Sequence, residues 1–170
     1  MKEFDDKTTE VLIVGAGPTG LMMACQLAKH QVSFRIVDKK ECPSTYSGAL
    51  IVHARSIEIF DQMGIAEKVM QEAIIANNVR IVFNGKETAH ISLLDIGQGL
   101  TKFPNLYMME QSKTEALLID YISTRNYSVE RKTELISFTQ DETGVTSVLK
   151  LPNGKEETIK TQYLYSRSRK

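Results

Sequence analysis

Three glycines and one aspartate carry the clearest chemical signal in this chain. Gly15, Gly17 and Gly20 form a G-x-G-x-x-G pattern, and Asp38 follows Gly20 by eighteen residues (38 − 20). Glycines at this spacing let the chain turn sharply from a strand into a helix and bring backbone N–H groups against a diphosphate. The dipole at a helix start favours such an anion. The pattern therefore predicts a site for the ADP half of a dinucleotide.

Residues near the glycines narrow the ligand class. Pro18 suits the first position of a helix because no hydrogen-bonded N–H is lost there, and Thr19 completes the loop. The carboxylate of Asp38 can accept hydrogen bonds from the ribose hydroxyls, and its charge would repel a 2′-phosphate. FAD or NAD is thus favoured over NADP. A glycine-rich turn without a ligand is the alternative, and the agreement of spacing, helix and acid argues against it.

The surrounding pattern predicts an α/β fold that would position this loop. Residues 11–14 and 33–37 are predicted strands on either side of a helix over 18–29, which gives a parallel strand–helix–strand unit. Ser112 and Glu115 fit a capping box at a helix start. The other predicted elements are helices over 55–63, 65–73 and 111–124, a hairpin of 79–83 with 88–93 around Asn84-Gly85, and an antiparallel meander over 127–130, 134–139, 145–151 and 157–164.

Composition and charge argue against several classes of function. The 170 residues carry 21 Lys+Arg and 21 Asp+Glu, so the chain lacks the basic excess of a nucleic-acid binder or an anionic-membrane binder. Its first ten residues lack the apolar core of a signal peptide, and no segment reaches the about 18 consecutive apolar residues of a membrane span, so we expect a cytoplasmic location. The three histidines are far apart and the two cysteines lack metal-ligand spacing. No catalytic side chain and no metal site are predicted.

Several separated segments in order resemble one family. They are GAGPTGL, the acid Asp38, HARSIEIFDQMGI, YMMEQSKTEALL and GVTSVLKLPNGKEE. Together they resemble the class A FAD-dependent monooxygenases, the aromatic-ring hydroxylases of p-hydroxybenzoate hydroxylase type. The resemblance implies FAD as cofactor, NAD(P)H as transient reductant, and hydroxylation of a small aromatic or phenolic substrate with O2. It also implies a Rossmann-like FAD-binding domain with a parallel βαβ core, an antiparallel meander and a small hairpin.

The same resemblance implies a set of cofactor-binding residues. They are Gly15, Gly17, Pro18, Thr19, Gly20, Asp38, Lys39, Arg55 and Gln111. The alternative for Arg55 is a surface residue of a helix, paired with Glu58 or Asp61. The alternative for Gln111 is an ordinary residue at a helix start.

The chain also departs from the family pattern. Gly48 stands where the family often has an arginine, and no Gly-Asp or Asp-Gly pair occurs in the sequence. We therefore expect residues 1–170 to be the N-terminal part of the FAD-binding domain, truncated before a C-terminal substrate domain. Residues 79–110 would contribute to a substrate-side sheet.

Other readings stay open from the sequence alone. One is an NAD-binding dehydrogenase domain, and another is a non-catalytic truncated nucleotide-binding module. A hairpin over 79–93 without the rest of its sheet would leave open strand edges. A homo-oligomer formed through these edges is therefore expected.

Overall fold

The computed structural model describes residues 9–43, 51–94 and 96–166. The chain divides into two units, one formed by residues before 46 and after 114, and the other by residues 46–114. In chain order the elements are β1 (Val11–Val14), α1 (Pro18–Lys29), β2 (Phe34–Asp38), β3 (Ile51–Val52), α2 (Ala54–Gln62), α3 (Ala66–Glu72), β4 (Ile74–Ile75), β5 (Asn78–Phe83), β6 (Lys86–Ser92), β7 (Tyr107–Met108), α4 (Gln111–Ser123), β8 (Val129–Arg131), β9 (Glu134–Asp141), β10 (Gly144–Lys150), β11 (Glu156–Thr161) and β12 (Tyr163–Ser166).

A four-stranded parallel sheet is the centre of the first unit. Its strand order is β12-β1-β2-β8, and β1 pairs with β2 in parallel, which confirms the predicted strand–helix–strand unit. Leu12, Ile13, Ile36 and Val37 are completely buried. Strands covered on both faces read as continuous apolar runs, and this is why the run 11–14 was recognisable in the sequence.

The predicted four-stranded meander is wrong in part. Only β9, β10 and β11 form the antiparallel sheet, whereas β8 pairs in parallel with β2 and β12 pairs in parallel with β1. Stacking of Tyr127 on Phe34, with ring centroids 4.1 Å apart, directs the chain into β8 beside β2. At the other end, the N–H groups of Gln162 and Tyr163 both donate to the carbonyl of Glu10. This contact separates β11 from β12 and brings β12 to the edge of the parallel sheet.

The meander packs against the parallel sheet. Leu149 on β10 is completely buried in one cluster with Leu12 and Val37. Its partly buried neighbours in this cluster are Val14, Leu135, Ile159 and Leu164. The second sheet therefore covers the strands that lead to the glycine loop.

One ion-pair network joins three strands of this unit. Arg35 on β2 donates two hydrogen bonds to Glu130 on β8, at 2.6 and 2.8 Å, and two to Glu157 on β11, both at 2.9 Å. Hydrogen bonding to Glu130 and Glu157 raises the pKa of Arg35, while hydrogen bonding from Arg35 lowers the pKa of Glu157. The planar guanidinium suits such paired contacts, because its N–H groups match carboxylate geometry.

The described residues of the second unit include helices α2 and α3 and two small antiparallel sheets. Helices α2 and α3 pack together, and Gly64 between them has φ +76, which agrees with its predicted place just after a helix. One sheet has the order β3-β7-β4, and its three strands of two residues each were not predicted. These strands are too short to show a hydrophobic period in the sequence.

The other sheet of the second unit is the predicted hairpin, β5–β6. Asn84 and Gly85 at its turn have φ 49 and φ 75, the left-handed values that a tight hairpin turn requires. Val79 lies opposite Ile91 and shares a face with Ile81, and these three side chains are 43%, 49% and 47% exposed. The hairpin therefore has an uncovered apolar face within its unit.

The predicted capping box is wrong. Helix α4 begins at Gln111, and the carbonyl of Glu110 already accepts from the N–H groups of Lys113 and Thr114. Ser112 therefore lies inside the helix, and its hydroxyl contacts the carboxylate of Glu110. The N-cap is therefore Glu110, two residues before Ser112, the position that the S-x-x-E pattern assigned to it.

Both cysteines are free thiols, and their environments differ. Cys25 is buried on α1, where burial raises the pKa of its thiol to about 12, and Cys42 is exposed. In the described ranges, no helix is long and apolar enough to cross a membrane, and no group of three His, Cys, Asp or Glu residues could hold a metal ion.

Candidate functional site

The glycine loop joins β1 to the start of α1. Gly15 has φ +103, a value that L side chains rarely adopt, and its N–H donates to the carbonyl of Val37 at 2.8 Å. Gly17 is the N-cap, and its carbonyl accepts from the N–H of Leu21 at 2.9 Å. Pro18 and Thr19 are the first two residues of α1. The strand–turn–helix arrangement predicted for the loop is confirmed.

The start of α1 suits an anion. No side chain caps this described helix, and its first turn carries no acidic residue. The positive end of the helix dipole therefore meets no charge of its own helix. Helix starts of this kind bind phosphate through backbone N–H groups.

Two of the glycines have opposite steric surroundings. A Cβ added at Gly20 would lie 1.9 Å from the carbonyl oxygen of Gly15, so the loop packs directly on the first turn of α1. A Cβ added at Gly17 would meet nothing within 4 Å. Gly20 is thus required by the protein's own packing, and Gly17 leaves open space at the helix start for a ligand.

Asp38 lies at the end of β2 and contacts the loop. Its Oδ2 accepts from the N–H of Ala16 at 2.7 Å, and its Oδ1 accepts from the N–H of Lys40 at 2.8 Å. An ionised carboxylate has about four acceptor positions. These two hydrogen bonds therefore use about half of the acceptor positions of the carboxylate, and the bond from Ala16 holds the loop in place.

Arg131 is a neighbour of Asp38 that the sequence analysis missed. The two residues are register partners on β8 and β2, and Nη1 of Arg131 lies 3.7 Å from Oδ2 of Asp38. Both side chains are largely buried, with 19% and 11% exposed. The contact depends on the parallel pairing of β8 with β2, and the sequence pattern gave no sign of that pairing.

A cavity of about 320 Å³ lies beside Asp38. It is lined by Val14, Gly15, Asp38, Lys39, Lys40, Thr133, Glu134, Leu135 and Ser166. These residues follow or end strands of the parallel sheet, or begin the meander. Ligands of open α/β sheets bind in the crevice at the carboxyl ends of the strands, and this cavity has that position.

The first unit brings together seven of the nine predicted cofactor-binding residues. The glycine loop, Asp38 and Lys39 all belong to this unit, and Lys39 lines the cavity. The other two, Arg55 and Gln111, lie in the second unit. Gly48 lies outside the described residues.

Within the second unit, Arg55 has the ion pair that its spacing allowed. Both residues lie on α2, and Nη1 of Arg55 donates to Oε2 of Glu58 at 3.0 Å. The Arg55 side chain is 73% exposed. Glu58 also accepts a hydrogen bond from the hydroxyl of Thr101. Both hydrogen bonds lower the pKa of Glu58, and the one from Arg55 has the larger effect. Gln111 is the first residue of α4.

Comparisons with known proteins agree on one family. A family model described as an FAD binding domain matches residues 8–166. Pentachlorophenol 4-monooxygenase of Sphingobium chlorophenolicum is 33% identical over 155 residues, and the match covers 91% of this chain and 28% of that protein. An uncharacterized aromatic compound monooxygenase of Bacillus subtilis, YhjG, is 32% identical, with 91% and 30% covered.

Solved structures give the same result. The flavin-dependent monooxygenase PieE, in complex with FAD and substrate, is similar with a TM-score of 0.81 and 29% identity, covering 94% of this chain and 30% of that one. Aklavinone-11 hydroxylase with FAD and aklavinone has a TM-score of 0.84 and 26% identity, with 95% and 33% covered. The chain therefore spans about three tenths of the length of these proteins.

Proposed function

Because the chain belongs to the FAD-binding domain family, we propose that it is the FAD-binding part of a flavoprotein monooxygenase. The whole protein would hydroxylate a small aromatic or phenolic molecule with NAD(P)H and O2, as the names of its relatives suggest. The uncapped start of α1 beside the Asp38 carboxylate is the observation that carries the proposal. An NAD-linked dehydrogenase is disfavoured, because the family match extends over nearly the whole chain.

The residues of the first unit fit the adenosine and diphosphate end of FAD. Gly17 provides the open space in which a diphosphate can approach the backbone, and Pro18, Thr19 and Gly20 form the helix start that would hold it. The free acceptor positions of Asp38 would orient the ribose, and Lys39 lines the adjoining cavity. From the second unit, Arg55 and Gln111 are proposed as further FAD contacts through the family resemblance.

The chemistry would come from the cofactor and not from side chains of this chain. When bound, FAD supplies electron transfer and the activation of O2. The role of the described residues is to bind and orient its adenosine end. We propose no catalytic residue and no metal site.

Reconstitution with FAD tests the proposal. The purified chain, incubated with FAD and freed of excess by gel filtration, should show the visible absorption bands of bound flavin. Asp38→Ala should weaken FAD binding by about tenfold or more, because charge-assisted hydrogen bonds are lost. The exposed Glu87→Ala change on the hairpin should leave affinity unchanged. A colourless protein that NAD stabilises, or one indifferent to both nucleotides, would refute the proposal.

The second unit suggests an arrangement within a longer protein. We propose that residues 1–170 form an FAD-binding domain in which residues 79–110 contribute to a substrate-side sheet. Support comes from the uncovered apolar face of the hairpin, with Val79, Ile81 and Ile91 exposed. The two free thiols fit a reducing compartment, and we therefore propose a cytoplasmic location.

The open edges of the hairpin also support self-association. Among the described residues β5 and β6 form a two-stranded sheet, so each strand has an edge that pairs with no other described strand and that can pair with another chain. We expect sedimentation velocity to show a larger species as concentration rises, and the Ile81→Lys change should suppress it. The Arg80→Lys change, which keeps both charge and apolar face, is the control. A monomer at all concentrations would contradict this expectation.

A further inference from the structure

We propose that Arg131 is a positioning residue of the adenosine site, which acts through Asp38. Its guanidinium fixes the carboxylate beside the glycine loop and offsets its charge, so that one site can hold both a ribose and a diphosphate. This inference rests on the proposed function, because it concerns the same nucleotide end of the cofactor.

The backbone fixes the two residues next to each other. Asp38 and Arg131 are register partners at the ends of β2 and β8. The N–H of Thr133 donates to the carbonyl of Asp38 at 3.1 Å, and the hydroxyl of Thr133 donates to the carbonyl of Arg131 at 3.2 Å. Thr133 is 2% exposed, so these bonds are protected from water. Lys132, with φ 55, makes the left-handed turn that brings Thr133 back toward β2.

The side chains form one isolated ion pair. Nη1 of Arg131 lies 3.7 Å from Oδ2 of Asp38, and in the described ranges the guanidinium has no other ion-pair partner. The separation is too long for a hydrogen bond. The acceptor positions of the carboxylate are therefore left to the N–H groups of Ala16 and Lys40 and to a ligand. Arg131 contributes charge without occupying the hydrogen-bonding positions that a ribose would use.

Charge balance gives Arg131 a function at this site. A buried carboxylate that binds ribose stands close to the diphosphate of the same ligand, and like charges in a partly buried site repel. The glycine loop contributes only partial charges, from N–H groups and the helix dipole. A guanidinium beside Asp38 offsets the negative charge of that carboxylate. The carboxylate can then stay close to the loop without weakening diphosphate binding.

Comparison of ADP with adenosine separates this function from a merely structural one. If the ion pair had only a structural role, replacing Arg131 would lower the melting temperature and would reduce the affinities for ADP and adenosine equally. The proposed function predicts a selective loss of the ligand that carries the diphosphate. Calorimetric titration of the full chain with ADP, adenosine and FAD gives the required affinities, and thermal melting of the free chain gives its stability.

The expected results are specific for each variant. Arg131→Gln should weaken ADP binding by about tenfold and adenosine binding by less than about threefold. Arg131→Lys, which keeps the charge, should retain most of the ADP affinity. Asp38→Asn should raise the ratio of ADP affinity to adenosine affinity. In that background Arg131→Gln should reduce ADP affinity by a smaller factor than it does in the wild type. Arg80→Gln, the same change on the exposed hairpin, should have no effect.

Several outcomes would overturn the proposal. They are equal losses for ADP and adenosine, additive effects of the Arg131 and Asp38 changes, or a fall in the ADP-to-adenosine ratio in Asp38→Asn. The ADP-to-adenosine ratio of Asp38→Asn tests the proposal even if Arg131→Gln does not fold. A wild-type chain that binds ADP but not FAD would refute the proposed function and leave this test valid. A chain that binds neither would overturn both.

Discussion

We expect the Gly20→Ala variant to lose FAD binding and much of its stability. The new Cβ would lie 1.9 Å from the carbonyl oxygen of Gly15, a distance at which backbone atoms must move. Gly15 itself is held by its hydrogen bond to Val37 and by its φ of +103, so the loop cannot shift freely. We expect a loss of about 3 kcal/mol in the free energy of unfolding. FAD affinity should fall by about a hundredfold.

Gly17→Ala is the matched control, because it adds the same methyl group three residues earlier. Gly17 has φ −81 and ψ −179, which alanine adopts without strain, and its Cβ would meet no protein atom within 4 Å. Denaturant unfolding should therefore show a change below about 0.5 kcal/mol. FAD affinity should still fall, because the methyl group occupies the space of the diphosphate. Equal stability losses in both variants would show that the loop geometry is wrong.

The Arg35→Met variant should show the largest loss of stability outside the loop. Its guanidinium makes two hydrogen bonds each to Glu130 and Glu157, and its removal leaves two carboxylates facing each other. Breaking a fully buried pair costs about 3–5 kcal/mol. These side chains are 23%, 34% and 37% exposed, and water screens part of the effect. We therefore expect a loss of about 2 kcal/mol at neutral pH.

The pH dependence of this loss has a definite sign. The pKa of Glu157 is lowered in the folded protein from an ordinary value of 4.5, chiefly by the hydrogen bonds that it accepts from Arg35. Its contribution to stability is complete above pH 4.5 and is lost as pH falls through the lowered folded value. The difference between wild type and Arg35→Met should thus shrink on acidification below that pH. Urea unfolding at neutral and acidic pH measures it.

Two controls identify the network as the cause. Arg80→Met makes the same change on the exposed hairpin and should alter stability by less than about 0.5 kcal/mol. The double change Arg35→Met with Glu157→Gln removes one of the two facing carboxylates and should recover part of the loss. A stability difference independent of pH would mean that packing of the Arg35 stem, and not its charge, is responsible.

The glycine loop and Asp38 were predictable because their signal is local. A strand, a turn, a helix and a second strand follow one another within the first forty residues, and each has its own pattern. The fold class was predictable for the same reason. The Asn84-Gly85 turn, which specifies its hairpin through two residues alone, is a further example.

Arg131 and the topology of the last strands could not be predicted, because they depend on contacts between distant residues. The alternation of polar and apolar residues in EETIKTQYLYS continues through Gln162 without a break, although β11 and β12 belong to different sheets. The separation is made by the carbonyl of Glu10, at the other end of the described chain. Arg131 reaches Asp38 only after β8 has joined β2. The roles of Arg55 and Gln111 in cofactor binding stay predictions.

The pairing of β1 with β12 has a consequence for the order in which the protein matures. During synthesis the glycine loop leaves the ribosome well before β12, the strand that completes its side of the sheet. Until then, β1 has an unsatisfied edge, and closing a loop of this length carries a large entropic cost. We expect the first unit to become protease-resistant only after β12 is released.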